Sequence, residues 1–97
     1  MAVDEVDQLD PTPLFQQLAA IIRAQIQRGD LRPRQVLPSE THLIQRYGVS
    51  RGTVRQAMAL LREEGWIVTV QGRGSFVAPE PPIDRDETPQ QDAPDQQ

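Results

Sequence analysis

The sequence predicts a small fold of the α+β class that is mainly helical, with three helices followed by a two-stranded β-hairpin. Three observations support this prediction. Apolar residues recur at helical spacing in three segments separated by Gly or Pro, and β-forming residues flank a Gly-rich turn near residue 72. The chain has 97 residues and no cysteine, which allows one thin core without disulfides. We expect a folded domain at 13–79, a mobile acidic N-terminus at 1–12, and a disordered acidic tail rich in Pro and Gln at 80–97.

The first predicted helix spans about 15 residues and ends at Gly29. Thr12 is a candidate N-cap, with Pro13 at the first helical position. The apolar face of this helix consists of Leu14, Leu18, Ile21, Ile22 and Ile26. The following segment, 29–38, contains Gly and two Pro residues and is predicted to be an ordered connector. The residues expected to anchor this connector in the core are Leu31, Val36 and Leu37.

A helix-turn-helix is predicted between residues 39 and 62, because two short amphipathic helices flank a turn signal at 47–50. Ser39 and Ser50 precede the two helices, where a hydroxyl accepts hydrogen bonds from the unpaired N–H groups of the first turn. In the second of these helices, predicted at 51–63, apolar residues form one stripe for burial. The stripe consists of Val54, Ala57, Met58 and Leu61.

The opposite face of helix 51–63 carries side chains suited to DNA bases. Arg51 and Arg55 present paired donors that match guanine O6 and N7, and Gln56 can pair with adenine. The small residues Gly52 and Ala59 allow the helix to lie close to the bases. This face therefore predicts binding in the major groove of double-stranded DNA. Two further arginines, Arg46 and Arg62, are interpreted as residues for solubility or for loose attraction to phosphates.

A β-hairpin is predicted after the helices, because β-forming residues at 66–70 and 75–78 flank the turn Gln71-Gly72-Arg73-Gly74. Strand alternation is expected to direct Trp66 toward the core. The hairpin tip combines one arginine with glycines, so its backbone and one cation are expected to reach the minor groove. Three helices and such a hairpin constitute a winged helix-turn-helix.

Charge is segregated along the chain, whose net charge is −4. Residues 13–79 carry +5, whereas 1–12 carry −4 and 80–97 carry −5. The charge of the domain is the relevant quantity for a partner, and a basic domain fits nucleic acid. The tail is interpreted either as a solubilising linker or as a segment whose acids occupy the Arg face and weaken non-specific DNA binding. Those acids are Glu80, Asp84, Asp86, Glu87, Asp92 and Asp95.

The composition disfavours several classes of function. No apolar run approaches the roughly 18 residues of a membrane span, and the acidic N-terminus differs from a secretory signal. We therefore expect a cytoplasmic, nucleoid-associated protein without a membrane partner. The sequence has no nucleophile–base pair and no cluster of metal ligands, and His42 is its only histidine. We expect neither an enzyme nor a bound metal or cofactor.

Four segments together resemble the winged helix-turn-helix domain of the GntR family. They are LPSE at 37–40, GVSRGTVRQAM at 48–58, LREEGW at 61–66 and GRGSFV at 72–77. The resemblance implies a bacterial transcription regulator, usually a repressor, that binds palindromic operators as a dimer. It also implies that Arg51, Thr53 and Arg55 approach bases or phosphates. The same resemblance assigns Gln71, Gly72 and Arg73 to the wing tip at the minor groove.

The chain departs from the family pattern at two places. Members commonly have Arg directly after Pro-Ser-Glu, where this chain has Thr41, whose hydroxyl can still donate to a phosphate. Typical members continue into a larger C-terminal domain that senses a small molecule and holds the dimer together, whereas this sequence continues into the acidic tail. We therefore expect no small-molecule effector. A lone domain reads one half-site, so we expect tight operator binding to require two copies, paired in solution or only on DNA.

Eleven residues are predicted to bind DNA, and one alternative function is open. The set is Ser39, Thr41, Ser50, Arg51, Gly52, Thr53, Arg55, Gln56, Gln71, Gly72 and Arg73. The alternative is a protein-interaction module, or a DNA-binding accessory protein that works through a partner, because a fold does not by itself determine function. A third helix that binds a protein is expected to expose apolar anchors, which distinguishes the two hypotheses.

Overall fold

The structure is a computed structural model that describes residues 5–83. These residues form three helices, α1 (Leu14–Arg28), α2 (Glu40–Tyr47) and α3 (Arg51–Glu63), and two antiparallel strands, β1 (Ile67–Val70) and β2 (Gly74–Val77). The predicted fold class is confirmed. The expectations for residues 1–4 and for 84–97, which include all the tail acids except Glu80, lie outside the described residues.

The start of α1 differs from the prediction by one residue. Pro13 itself occupies the N-cap position, with φ −54° and ψ 142°, and the first helical residue is Leu14. Thr12 is therefore not the N-cap, and no side chain within residues 5–83 caps this helix. The fixed φ of Pro suits both the N-cap position and the first helical position. The ψ of Pro13 is not helical, and this places Pro13 at the N-cap. The Gln17 side chain instead accepts a hydrogen bond from the Asp7 N–H and donates one to the Thr12 carbonyl, which holds the preceding segment against α1.

Both serine caps of the helix-turn-helix are confirmed. Ser39 Oγ accepts a hydrogen bond from the His42 N–H at 3.1 Å, and Ser50 Oγ accepts one from the Thr53 N–H at 3.1 Å. Gly48 ends α2 with φ 66°, a left-handed conformation that residues with a side chain rarely adopt. The turn therefore ends α2 sharply, and α3 begins three residues after Gly48.

The core lies between α1, α3 and the base of the hairpin. The predicted stripe on α3 is buried throughout, and it packs against the apolar face of α1 and against Ile67 and Val77 of the two strands. Among the described residues, the largest fully buried side chains are Leu18, Ile22, Val54, Leu61, Ile67 and Val77. This burial fixes which side of α3 remains exposed.

The connector pairs with β2, and this pairing corrects one predicted anchor. The Leu37 N–H donates to the Ser75 carbonyl, and the Val77 N–H donates to the Gln35 carbonyl, both at 2.8 Å. Leu37 is buried as expected, but Val36 is 54% exposed and forms a bridge with Phe76. Adjacent residues of an extended segment point to opposite faces, so Val36 and Leu37 cannot both enter the core.

Trp66 is buried as expected, but for a different reason. It lies one residue before β1, and its carbonyl accepts a hydrogen bond from the Ala78 N–H at 2.9 Å. Within β1 the buried residue is Ile67, whereas Val68 and Val70, which alternation would group with Trp66, are exposed. The predicted strand alternation is therefore wrong, because the chain bends as it leaves α3 and buries two consecutive side chains.

Leu61→Ala should lower the free energy of unfolding by about 2–5 kcal/mol, because the Leu61 side chain is fully buried in the core. The same substitution at Leu9, which is 93% exposed, should change the free energy by no more than about 0.5 kcal/mol. Urea titrations followed by the fluorescence of Trp66 measure both. Equal losses in the two variants would contradict this placement of α3.

Candidate nucleic-acid interface

The N-terminal half of α3 presents a polar face to solvent. The side chains of Arg51 and Arg55 are 53% and 64% exposed, and Gly52 and Gln56 are exposed beside them. Among the residues that the structure describes, a Cβ built on Gly52 would meet only the Ser50 hydroxyl, at 3.8 Å, so packing among them does not require Gly at this position. The burial of the opposite stripe orients these residues, because helical periodicity places them on the other side.

Glu40, the first residue of α2, joins the two arginines. Its carboxylate accepts a hydrogen bond from Arg51 Nη1 at 2.8 Å and another from Arg55 Nε at 2.8 Å. Arg55 Nη2 lies 3.4 Å from the same carboxylate. We call Glu40, Arg51 and Arg55 the arginine cluster. It brings together two residues predicted for base contact and one acidic residue, Glu40, for which the sequence predicts no role in the site.

The ion pairs of the arginine cluster shift the protonation equilibria of Glu40 and Arg55. Hydrogen bonds from Arg55 and then from Arg51 hold the pKa of the Glu40 carboxyl below its usual value. The hydrogen bond to Glu40 in turn raises the pKa of Arg55. The cluster therefore contains two cations and one anion at neutral pH.

The hydroxyl groups of the predicted site are partly occupied within the protein. Ser39 and Ser50 cap their helices, and Ser50 Oγ also donates to Thr53 Oγ1 at 3.1 Å. Thr41 is exposed in the first turn of α2. The capping geometry leaves further N–H groups at the start of α2 and α3 without intrahelical acceptors, and such N–H groups favour anions.

The wing tip forms a second part of the predicted site. Gln71, Gly72 and Arg73 are exposed between the paired residues Val70 and Gly74. Gly72 has φ 82°, and the Arg73 N–H donates to the Val70 carbonyl at 2.9 Å. The tight turn therefore carries one guanidinium on a segment with little other side-chain bulk.

A polar bridge connects α3 to the wing. Arg62 Nη1 donates to Thr69 Oγ1 at 3.0 Å, and Thr69 Oγ1 lies 3.1 Å from Ser75 Oγ in the adjacent strand. The sequence pattern predicts a surface role for Arg62 without a specific partner, whereas in the structure Arg62 forms a hydrogen bond to the wing. Arg62 lies seven residues after Arg55 and therefore shares its helix face, but its partner in the wing is set by tertiary packing.

Arg46, on α2, does not extend this site. Arg46 approaches Glu5 at 3.5 Å and lies over the Tyr47 ring, 4.7 Å from its centroid. Within residues 5–83, no group of His, Asp and Glu is arranged to hold a metal ion. No helix in the described part of the chain is long and apolar enough to cross a membrane.

Comparison with known proteins identifies relatives of the whole domain. The family model of the bacterial regulatory proteins of the gntR family matches residues 14–77. The HTH-type transcriptional repressor NagR of Bacillus subtilis is 38% identical over 75% of this chain and 30% of its own length. The mannosyl-D-glycerate transport/metabolism system repressor MngR of Escherichia coli is 47% identical over 70% of this chain and 28% of its own length. The chain thus spans less than a third of these relatives.

Solved structures agree with this relationship. The DNA-binding domain of AraR in complex with operator ORX1 superposes with a TM-score of 0.72 at 35% identity, covering 80% of this chain and 99% of that domain. YtrA from Sulfolobus acidocaldarius, a GntR-family transcription factor, has a TM-score of 0.72 at 39% identity, covering 77% and 79% of the two chains. From the family match and these similarities, we conclude that this chain belongs to the GntR family of bacterial regulatory proteins.

Proposed function

We propose that this chain is a sequence-specific DNA-binding repressor of transcription that acts at the bacterial nucleoid in the cytoplasm. Helix α3 (Arg51–Glu63) enters the major groove, and the wing at 71–74 lies at the minor groove. Two relatives are named as repressors, and the AraR domain was crystallised with operator DNA, which supports the proposal.

One observation carries the proposal: two arginines at the exposed N-terminus of α3 are held together by Glu40, with Gly52 between them. The first residues of a recognition helix are the ones that reach base edges. Arg51 and Arg55 then select guanine, and Gln56 selects adenine. Gly52 lets the backbone of the helix approach the groove.

Phosphate contacts supply the sequence-independent part of the affinity. The N-terminal N–H groups of α2 and α3, together with the hydroxyls of Thr41 and Thr53, are suited to phosphate oxygens. Arg73 of the wing adds a cation beside the minor groove. Because such contacts displace counterions from DNA, binding should weaken steeply as the salt concentration rises.

Two copies of the domain fit the proposed palindromic operator. One domain offers one recognition helix and thus reads one half-site, whereas a palindrome contains two half-sites related by a two-fold axis. We propose a homodimer that forms in solution or only on DNA. No small-molecule effector enters this proposal.

The alternative of a protein-interaction module that uses α3 fits the surface less well. Among the described residues, the large apolar side chains that are exposed are Leu9, Val36, Val68 and Val70. None of these lies on α3, where a protein partner would need apolar anchors. A charged and amide-bearing helix face favours DNA.

Selection from a randomised pool of duplex DNA tests the proposed function directly. The full chain should enrich one palindromic sequence, and it should retain this duplex at about 150 mM salt in the presence of excess scrambled competitor. Light scattering of the complex should give two chains per duplex. Enrichment of no sequence would refute sequence-specific binding.

Arg55→Ala should weaken binding to the selected duplex by about 5- to 150-fold, which corresponds to about 1–3 kcal/mol for one bidentate base contact. Binding to a scrambled duplex should change much less. Arg23→Ala is the matched control, because it removes one positive charge from α1, where Arg23 pairs with Glu64. Fluorescence anisotropy titrations measure the affinities for the selected and the scrambled duplex. If the ratio of these affinities were the same in Arg55→Ala and in Arg23→Ala, base readout by Arg55 would be excluded.

Gly52→Leu should leave the domain folded but weaken DNA binding by about tenfold or more, because a bulky side chain must be accommodated in a closely packed interface. Thermal stability should not fall, since Leu is a better helix former than Gly and the site is open. The control is Ala20→Leu, which adds a similar side chain on the exposed part of α1. Unchanged affinity of the Gly52→Leu variant would mean that α3 does not approach the groove at this residue.

A further inference from the structure

We infer that Glu40 is a positioning residue that makes this domain bind its target sequence in preference to unrelated DNA sequences. Its carboxylate orients the side chains of Arg51 and Arg55 for contact with bases. Its negative charge also reduces the attraction of these arginines to the phosphates of unrelated DNA. The inference rests on the proposed function. Its basis is the arginine cluster, in which one carboxylate binds both guanidinium groups.

The hydrogen-bond geometry leaves the donors for base readout available. Arg55 Nε donates to Glu40 Oε2 at 2.8 Å, and one N–H of Arg55 Nη2 points to Glu40 Oε1, with 3.4 Å between the nitrogen and the oxygen. Its outer edge, with one N–H from each of Nη1 and Nη2, remains able to form two parallel hydrogen bonds to guanine. Arg51 uses only Nη1 toward Glu40, which leaves Nη2 and Nε. Glu40 therefore orients both side chains without occupying all their donors.

The position of Glu40 makes it a rigid support. It is the first residue of α2, directly after the capping residue Ser39, so the helix start fixes its backbone. Its side chain is 37% exposed, less than either arginine. Long arginine side chains lose rotamer freedom on binding, and an ion pair that already restricts them reduces the loss. The base-reading arginines are thus ordered before DNA arrives.

The charge of the cluster also matters for non-specific binding. Two guanidinium groups and one carboxylate leave a net charge of +1, whereas the same arginines without Glu40 would present +2. Within residues 5–83, no other carboxylate forms an ion pair with Arg51 or Arg55. In this described part of the chain, Glu40 is therefore the residue that restrains these cations from binding any phosphate within reach.

The test compares Glu40→Gln with the wild-type chain on two probes, the duplex selected by the wild type and a scrambled duplex of the same composition. Anisotropy titrations over a range of salt give both affinities and their salt dependence. At about 150 mM salt, one additional effective phosphate contact should raise affinity for the scrambled duplex about fivefold, and the slope of log K against log salt should steepen by about one. The ratio of selected to scrambled affinity should fall about tenfold, as expected for impaired bidentate readout.

Glu63→Gln is the matched control, because it removes the same charge at the other end of α3, roughly 12 Å along the helix axis from Arg55. Its ratio of affinities should equal that of the wild type. If Glu40→Gln changes both affinities and the salt slope only as Glu63→Gln does, the inference is wrong. A wild-type chain that prefers no duplex would refute the proposed function itself, a different result.

Glu40→Asp separates position from charge and covers the case in which the Gln variant does not fold. Aspartate retains the negative charge at the start of α2 but is one methylene shorter, so it cannot reach both guanidinium groups in the present geometry. The ratio of affinities should fall while the salt slope remains that of the wild type. A wild-type ratio in Glu40→Asp would show that charge alone matters and would overturn the positioning role.

Discussion

The burial of one side of α3 is the constraint on which the rest of this structure depends. In a domain with a thin core, Val54 and Leu61 must be covered by α1 and by the base of the hairpin. Once that stripe is buried, helical periodicity leaves Arg51 and Arg55 on the solvent side. The exposed face is therefore a consequence of packing, and the serine cap at Ser50 determines where along the chain that face begins.

Around α3, the candidate interface is assembled from segments that are distant in sequence. Glu40 reaches across the turn to the first half of the helix, and Arg62 reaches from its second half to Thr69 in the wing. Both contacts are polar and lie at the surface, so each contributes little to the stability of the fold. Their effect is instead to restrict the positions of the arginines and of the wing relative to one helix.

Local charge, rather than the charge of the chain, governs what such a surface can bind. The sequence has a net charge of −4, yet residues 13–79 carry +5. Within this basic segment the arginine cluster includes an acid, which lowers the local positive charge at the point where base contacts are proposed. A surface that attracts phosphate strongly everywhere would bind DNA tightly but without preference, so an acidic residue at this position is consistent with selective binding.

The sequence by itself determined the three helices, both serine caps, the stop at Gly48 and the exposure of Arg51 and Arg55, because helix periodicity and capping depend on residues within one or two turns. Only the tertiary structure decided that Val36 is exposed beside Phe76 and that Trp66 is buried before its strand. Likewise, nothing local links Glu40 to Arg51 and Arg55, which lie 11 and 15 residues further along the chain. Such contacts depend on how packed elements meet in space, and no periodic pattern within one element encodes that.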